Sequence, residues 1–225
     1  MLLKELREQV VFYGNQMIKS QLTMNTGGNI SARDRKSGLI AIKPTSKHYE
    51  LLKPEDITVI DIDGNIIEGG YKPSSEWRMH AAIYKKYPRV CGIVHCHSIY
   101  ATAMAVADEE IPLINHELCM YCSEPVRVMP FAMPGTDQLG DSALEGMAVG
   151  NNVALLKNHG TVAMGASLWH AFDAACALEQ AANAYFIAKQ MGKVHVLPEE
   201  GRNKLRTYDP LMGEDTGGEG EIRAV

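Results

Sequence analysis

Cys91-Gly92-Ile93-Val94-His95-Cys96-His97 is apolar and β-branched until its last residues, and it reads as a strand buried in a sheet. Side chains alternate faces along a strand, so His95 and His97 share one side while Cys96 points away. Two imidazoles on one rigid edge are half of a divalent-metal site. Glu76 upstream, and His159 in Lys157-Asn158-His159-Gly160 downstream, are the residues that can complete it. Three histidines and a carboxylate suit zinc. The competing reading is ordinary hydrogen-bonded core, because an isolated H-x-H arises by chance and two ligands rarely hold zinc. The setting of His159 favours the metal. It follows the apolar run Val153-Ala154-Leu155-Leu156 and stands beside Gly160, at a strand end where backbone can approach a ligand closely.

Outward from this strand, helical and hairpin patterns are mixed. Leu2, Leu3, Leu6, Val10, Met17 and Ile18 recur at helical spacing, which predicts an amphipathic helix from residue 2 to about 20. Thr26-Gly27-Gly28-Asn29-Ile30-Ser31 breaks it and starts a strand, and Gly38-Leu39-Ile40-Ala41-Ile42 predicts a second. Residues 57–62 and 66–67 flank Asp63-Gly64-Asn65, a hairpin signal. Pro73-Ser74-Ser75 caps a helix over about 76–87, and further helices are expected at 99–107, about 138–149, and from Ser167 to about Met191. The segment after Ile111-Pro112-Leu113-Ile114 reads as loop. These patterns imply a largely antiparallel sheet with helices on its faces, in one domain over residues 1–208, followed by a flexible tail over 209–225.

The 225 residues carry a formal net charge of −5, which argues against nucleic acid as a partner. The charged N-terminus has no signal-peptide core, and no apolar run approaches the ~20 residues of a membrane span. Five cysteines leave at least one unpaired, in keeping with a reducing, cytoplasmic setting. Cys119-Met120-Tyr121-Cys122 has C-x-x-C spacing but neither a second pair for a zinc ribbon nor a thioredoxin-like context, so two buried small residues are expected.

Three clusters of glycine and small polar residues precede the ligands: Thr26-Gly27-Gly28-Asn29, Lys43-Pro44-Thr45-Ser46 and Ser74-Ser75. Each offers amide or hydroxyl donors without bulk, and Ser74-Ser75 lies where a helix N-terminus favours an anion. A phosphate monoester would fit; ordinary turns and a cap are the other reading. No Walker A spacing is present, so a nucleoside triphosphate is not implied.

The order Gly28-Asn29, Pro44-Thr45, Pro73-Ser74-Ser75-Glu76, His95-Cys96-His97-Ser98 and Asn158-His159-Gly160 resembles the class II aldolase/adducin family, most of all its fuculose-phosphate aldolase branch. The resemblance implies an α/β fold, a three-layer α/β/α sandwich, and a homotetramer with each site at a subunit interface. It implies one Zn2+ per subunit on Glu76, His95, His97 and His159, with substrate phosphate held by Gly28, Asn29, Thr45, Ser46, Ser74 and Ser75. Glu76 matches the residue that leaves the metal and acts as acid/base. Relatives often have glycine where this chain has Ser46. The proton-donating tyrosine of the fuculose-phosphate branch aligns with His116, and a second tyrosine matches Tyr208. The implied substrate is a phosphorylated ketose, L-fuculose 1-phosphate or a related deoxyketose phosphate, cleaved to dihydroxyacetone phosphate and an aldehyde. Ile42-Lys43-Pro44 and Lys72-Pro73-Ser74-Ser75 also resemble the L-ribulose-5-phosphate 4-epimerase branch, which usually has aspartate in place of Glu76. A dehydratase or decarboxylase acting on a phosphorylated sugar acid, and a metal-free adducin-like module, are the other family readings.

Overall fold

Aliphatic residues run unbroken through the central strands because both faces of the sheet are covered. The computed structural model describes residues 1–207 together with Asp209 and Leu211. Its elements are α1 (Lys4–Lys19), β1 (Asn29–Arg33), β2 (Ile40–Ile42), β3 (Thr58–Ile60), β4 (Ile66–Glu68), α2 (Trp77–Lys86), β5 (Gly92–Cys96) and α3 (Ile99–Ala107). They continue with α4 (His116–Tyr121), β6 (Val128–Met129), α5 (Asp137–Met147), β7 (Val153–Leu156), β8 (Gly160–Gly165), α6 (Leu168–Met191) and α7 (Glu199–Arg206). The strands form one sheet in the order β4-β3-β2-β1-β5-β8-β7-β6, and every pairing is antiparallel except β6 with β7.

The pleat sorts the core into two layers. Ile30, Ala32, Val94, Cys96, Val153, Leu155 and Ala163 meet residues of α1, α3, α4 and α6 on one face. Ile40, Ile42, Ile93, Ala154, Leu156 and Val162 meet Met79 and Ile83 of α2 and Leu139, Ala143 and Met147 of α5 on the other. The result is the three-layer α/β/α sandwich with a mostly antiparallel sheet. The expected helices and strands are present to within a few residues. The segment expected as loop holds α4 and β6, and α7 was not anticipated. Cys119 and Cys122 are buried and unbonded, as the packing reading of C-x-x-C required. Among the described residues no helix is long and apolar enough to cross a membrane. Tyr208, and residues 210 and 212–225 of the tail expected over 209–225, lie outside the described residues.

The register of β5 against β8 places Gly92 opposite Gly165, and this glycine pair lets the start of α6 press onto the sheet. A Cβ on Gly92 would lie 2.4 Å from Leu168 Cα and 2.5 Å from the Ser167 carbonyl, both backbone atoms with little freedom to give. Gly92→Ala should therefore destabilise the fold by about 1–3 kcal/mol, the usual cost of overpacking. A denaturant midpoint equal to wild type would contradict this.

Candidate metal centre and active site

Four chain segments meet at one end of the sheet. Antiparallel pairing sets Asn29 of β1 opposite His95 of β5. The turn from β7 to β8 carries His159 next to the same edge, and Glu76 is the residue immediately before α2. The close approach depends on glycine. A Cβ on Gly28, which has φ 62°, would lie 2.4 Å from the His95 carbonyl oxygen, and one on Gly160 would lie 2.4 Å from that of Cys96. Beyond β5, the His97 amide donates to the Leu22 carbonyl at 3.0 Å. The second and third amides of α3, those of Tyr100 and Ala101, donate to the Glu179 carboxylate of α6 at 2.9 Å each. His97 is thus held from both sides.

The histidine ligand atoms of His95, His97 and His159 lie within 4.8 Å of one another. His95 Nε2 is 3.1 Å from His97 Nε2 and 3.1 Å from Glu76 Oε2, while Glu76 Oε1 is 3.2 Å from His159 Nε2. His95 donates Nδ1–H to the Thr161 carbonyl at 2.8 Å, which turns its Nε2 toward the cluster, where it donates to Glu76 when protonated and offers a lone pair to a metal when not. Glu76 Oε1 is buried with His159 Nε2 as its ion-pair neighbour and no other polar partner, and that contact falls short of hydrogen-bond geometry. Convergent imidazole nitrogens around an unsatisfied buried carboxylate oxygen are a donor set that fits a divalent metal. Burial works against the ionised carboxylate, but the neighbouring His95 and His159 overcome it and hold the Glu76 carboxyl far below the usual range. The His95 imidazole is also fully desolvated, yet Glu76 raises its proton affinity. Lys157, beside this cluster in sequence, is instead ion-paired with Asp108 at 2.7 Å.

The three small-residue clusters form one cradle, and Lys43 joins them. Its Nζ donates to the Thr26 and Pro44 carbonyls at 3.3 Å each, its own carbonyl accepts from the Ser74 amide at 3.0 Å, and the Thr45 amide donates to the Lys72 carbonyl at 3.1 Å. Lys43 is buried, and desolvation pushes its ammonium down to about 8. Sequence reading gave it no role of its own, because it counted there only as one member of a turn. Thr45, Ser46 and Ser75 are exposed at the rim, whereas Ser74 is buried and its hydroxyl accepts from the Glu76 amide at 3.3 Å. Ser46 has φ 55°, so the left-handed turn that glycine favours is kept without a glycine.

Asn29 is where the site departs most from expectation. It is buried, and its Nδ2 donates to Glu76 Oε2 at 2.7 Å, so the residue expected on phosphate also touches the carboxylate. Its Oδ1 meets His80, a buried residue that sequence reading missed. The signal was available: His80 follows Glu76 by four positions, one helical turn. His116 is exposed at the start of α4, with Glu117 3.2 Å away, and no described contact joins it to Glu76 or the three histidines. Tyr208 lies outside the described residues.

Residues 8–186 match the Class II Aldolase and Adducin N-terminal domain. The chain belongs to the class II aldolase/adducin family. It is 41% identical over 205 residues to 5-deoxy-D-ribulose 1-phosphate aldolase of Bacillus thuringiensis serovar kurstaki, spanning 91% of this chain and 95% of that one. It is 42% identical over 113 residues to an L-ribulose-5-phosphate 4-epimerase of Salmonella paratyphi C, about half of each chain. Among solved structures, an L-fuculose 1-phosphate aldolase superposes with a TM-score of 0.86 at 35% identity, covering 90% of this chain and 95% of that one. The chain is an enzyme of the aldehyde-lyase kind that gives the family its name.

If the quartet is the metal site, His95→Ala, His97→Ala and their double variant should lose bound divalent metal while the sheet-and-helix core stays folded. Elemental analysis checks this, and full metal occupancy in the double variant would overturn it.

Proposed function

We propose that this enzyme is a zinc-dependent aldolase that cleaves a deoxyketose 1-phosphate to dihydroxyacetone phosphate and an aldehyde. The convergence of His95, His97, His159 and Glu76 beside a donor-rich cradle carries this reading, and the full-length similarity to a 5-deoxy-D-ribulose 1-phosphate aldolase supports it. His95, His97 and His159 would hold the metal, with Glu76 as the fourth, exchangeable ligand. The metal supplies Lewis-acid stabilisation of the negative charge that gathers on the former carbonyl oxygen.

The chain's own groups supply binding and proton transfer. Gly28, Asn29, Thr45, Ser46, Ser74 and Ser75 would bind the phosphate through their side-chain donors and those backbone amides not already given to carbonyls, as the Thr45 and Ser74 amides are, with Lys43 adding positive charge behind them. An amide nitrogen has two N–H donors, so Asn29 can serve Glu76 with one and the phosphate with the other. Breaking the C3–C4 bond requires that the C4 hydroxyl lose its proton and that C3 gain one. Glu76, beside the imidazoles that would hold the metal, is suited to the C3 proton. His116 or Tyr208 would take the C4 hydroxyl proton. The exposure of His116 suits a role in the site of a neighbouring subunit, within a homotetramer. The binding energy of the phosphate, remote from the bond being broken, serves to fix orientation. Free cysteines at all five positions agree with a reducing cytoplasm.

Incubation with 5-deoxy-D-ribulose 1-phosphate, L-fuculose 1-phosphate and L-ribulose 5-phosphate tests the reaction. The proposal expects aldehyde and dihydroxyacetone phosphate from at least one 1-phosphate. Isomer formation from the 5-phosphate alone would favour the epimerase reading instead. Ser75→Ala should weaken use of the phosphorylated ketose but leave its unphosphorylated counterpart nearly unchanged, and equal losses on both would remove Ser75 from the cradle.

Glu76→Gln should retain most of the metal on three histidines and lower turnover by roughly 10²–10⁴-fold, the usual range for a general acid/base. Exchange of the dihydroxyacetone phosphate C3 proton with solvent should fall with it. His116→Phe or Tyr208→Phe should spare that exchange and slow the aldehyde half-reaction. Rapid exchange in metal-loaded Glu76→Gln would exclude Glu76 as the proton-transfer group.

A further inference from the structure

We propose that His80 is a positioning residue that aims Glu76 through Asn29, by fixing which edge of the Asn29 amide faces the carboxylate. The inference rests on the reading of Glu76 as the acid/base, and it is carried by a continuous buried chain of hydrogen bonds. Glu76 Oε2 accepts from Asn29 Nδ2 at 2.7 Å. Asn29 Oδ1 meets His80 Nε2 at 2.5 Å, His80 Nδ1 meets Ser31 Oγ at 2.7 Å, and Ser31 Oγ meets the Tyr84 hydroxyl at 2.9 Å. Asn29, Ser31, His80 and Tyr84 are all buried, so water does not substitute for a broken link.

The carboxylate at the Glu76 end of this chain sets the direction of the donors that follow it. An ionised carboxylate only accepts, so Asn29 must turn its NH2 toward Glu76 and its Oδ1 toward His80. Oδ1 only accepts, so His80 must donate from Nε2. Its Nδ1 then carries the lone pair and accepts from Ser31 Oγ, and the Tyr84 hydroxyl shares its one O–H between Ser31 Oγ at 2.9 Å and the Ser31 carbonyl at 3.1 Å. Full burial keeps the ring neutral, pushing it down to about 3, which fits one N–H shared between two committed nitrogens. With the other tautomer, Nε2 would require a donor from Asn29, and the flipped amide would set Oδ1 against the Glu76 carboxylate. That pair of acceptors repels. Oriented as described, the amide holds one oxygen of Glu76 on the side of the histidines and ties its position to the phosphate cradle. A histidine that merely fills the core would not need this tautomer, nor would it act through Asn29.

The first measurement uses the wild-type full-length protein. A long-range 1H–15N correlation spectrum reads the His80 ring nitrogens, and the proposal expects the Nε2–H tautomer. An Nδ1–H tautomer overturns it, whatever reaction the enzyme performs. The second compares His80→Gln, whose side-chain amide can donate from the place of Nε2, with His80→Leu, which cannot. His80→Leu should slow proton exchange of dihydroxyacetone phosphate by roughly 10–100-fold, the range for residues that orient a ligand group, while His80→Gln stays near wild type. In an Asn29→Ala background His80→Leu should cost less than about twofold more, because its effect runs through the missing amide. Equal losses in both His80 variants, or losses that multiply with Asn29→Ala, would overturn the proposal. If His80→Leu does not fold, the tautomer alone decides. A wild-type enzyme that neither cleaves ketose phosphates nor exchanges the proton would remove the aldolase reading and leave the tautomer result standing by itself.

Discussion

Strand β5 can end in two histidines at a working site because the chain on both sides of it passes without side chains. The Gly28 Cα lies so near the His95 carbonyl, and the Gly160 Cα so near the Cys96 carbonyl, that a Cβ at either would be 2.4 Å from a backbone oxygen. These approaches bring β1 and the β7–β8 turn against the strand end. With them come Asn29 and His159. A methyl group at either position would have to move backbone, and the imidazoles would no longer share one point. The rest of the site is arranged around that constraint, with α2 delivering Glu76 from the layer above.

Charge then decides what the pocket tolerates. A carboxylate buried with three imidazoles has lost its water, and only polar neighbours can compensate. His95 and His159 answer it on one side and the Asn29 amide on the other. Lys43 does the same for the cradle, a buried cation satisfied by carbonyls of two adjoining loops. One end of the sheet thus gathers imidazoles and a carboxylate that fit a cation and, beside them, the Lys43 ammonium with the hydroxyls of Thr45, Ser46 and Ser75, the group proposed above to take an anion. That juxtaposition suits a substrate with a phosphate at one end and a carbonyl near it.

Much of this was legible before any coordinates. The β-branched run before His95 fixes a strand, and period-two alternation puts Cys96 in the opposite layer, where it packs with α3 and α6 residues. The long helices announce themselves through apolar spacing and caps. The pieces that escaped are short or polar: β6 has two residues and depends on β7 for its existence, and α4 has six, marked only by its Asn115 cap. In α7 only Arg206 is buried, held by Asn152, Asp209 and the Met120 and Gly150 carbonyls, contacts that no local pattern reveals. At the site, residue type gave the ligands but not their neighbours. Asn29 reads as an anion donor and also holds Glu76, and His80 reads as core while touching Asn29. Those relations join residues about fifty positions apart, and only tertiary packing makes them.

The donor set calls for one metal ion among His95, His97 and His159 within reach of Glu76. Diffraction from crystals grown with zinc, recorded on both sides of the zinc absorption edge, tests it most directly. One strong anomalous peak is expected roughly 2.0–2.1 Å from a nitrogen of each of the three imidazoles, the ordinary zinc–nitrogen distance. A peak bound elsewhere, with the three histidines hydrogen-bonded only to one another and to Glu76, would contradict it.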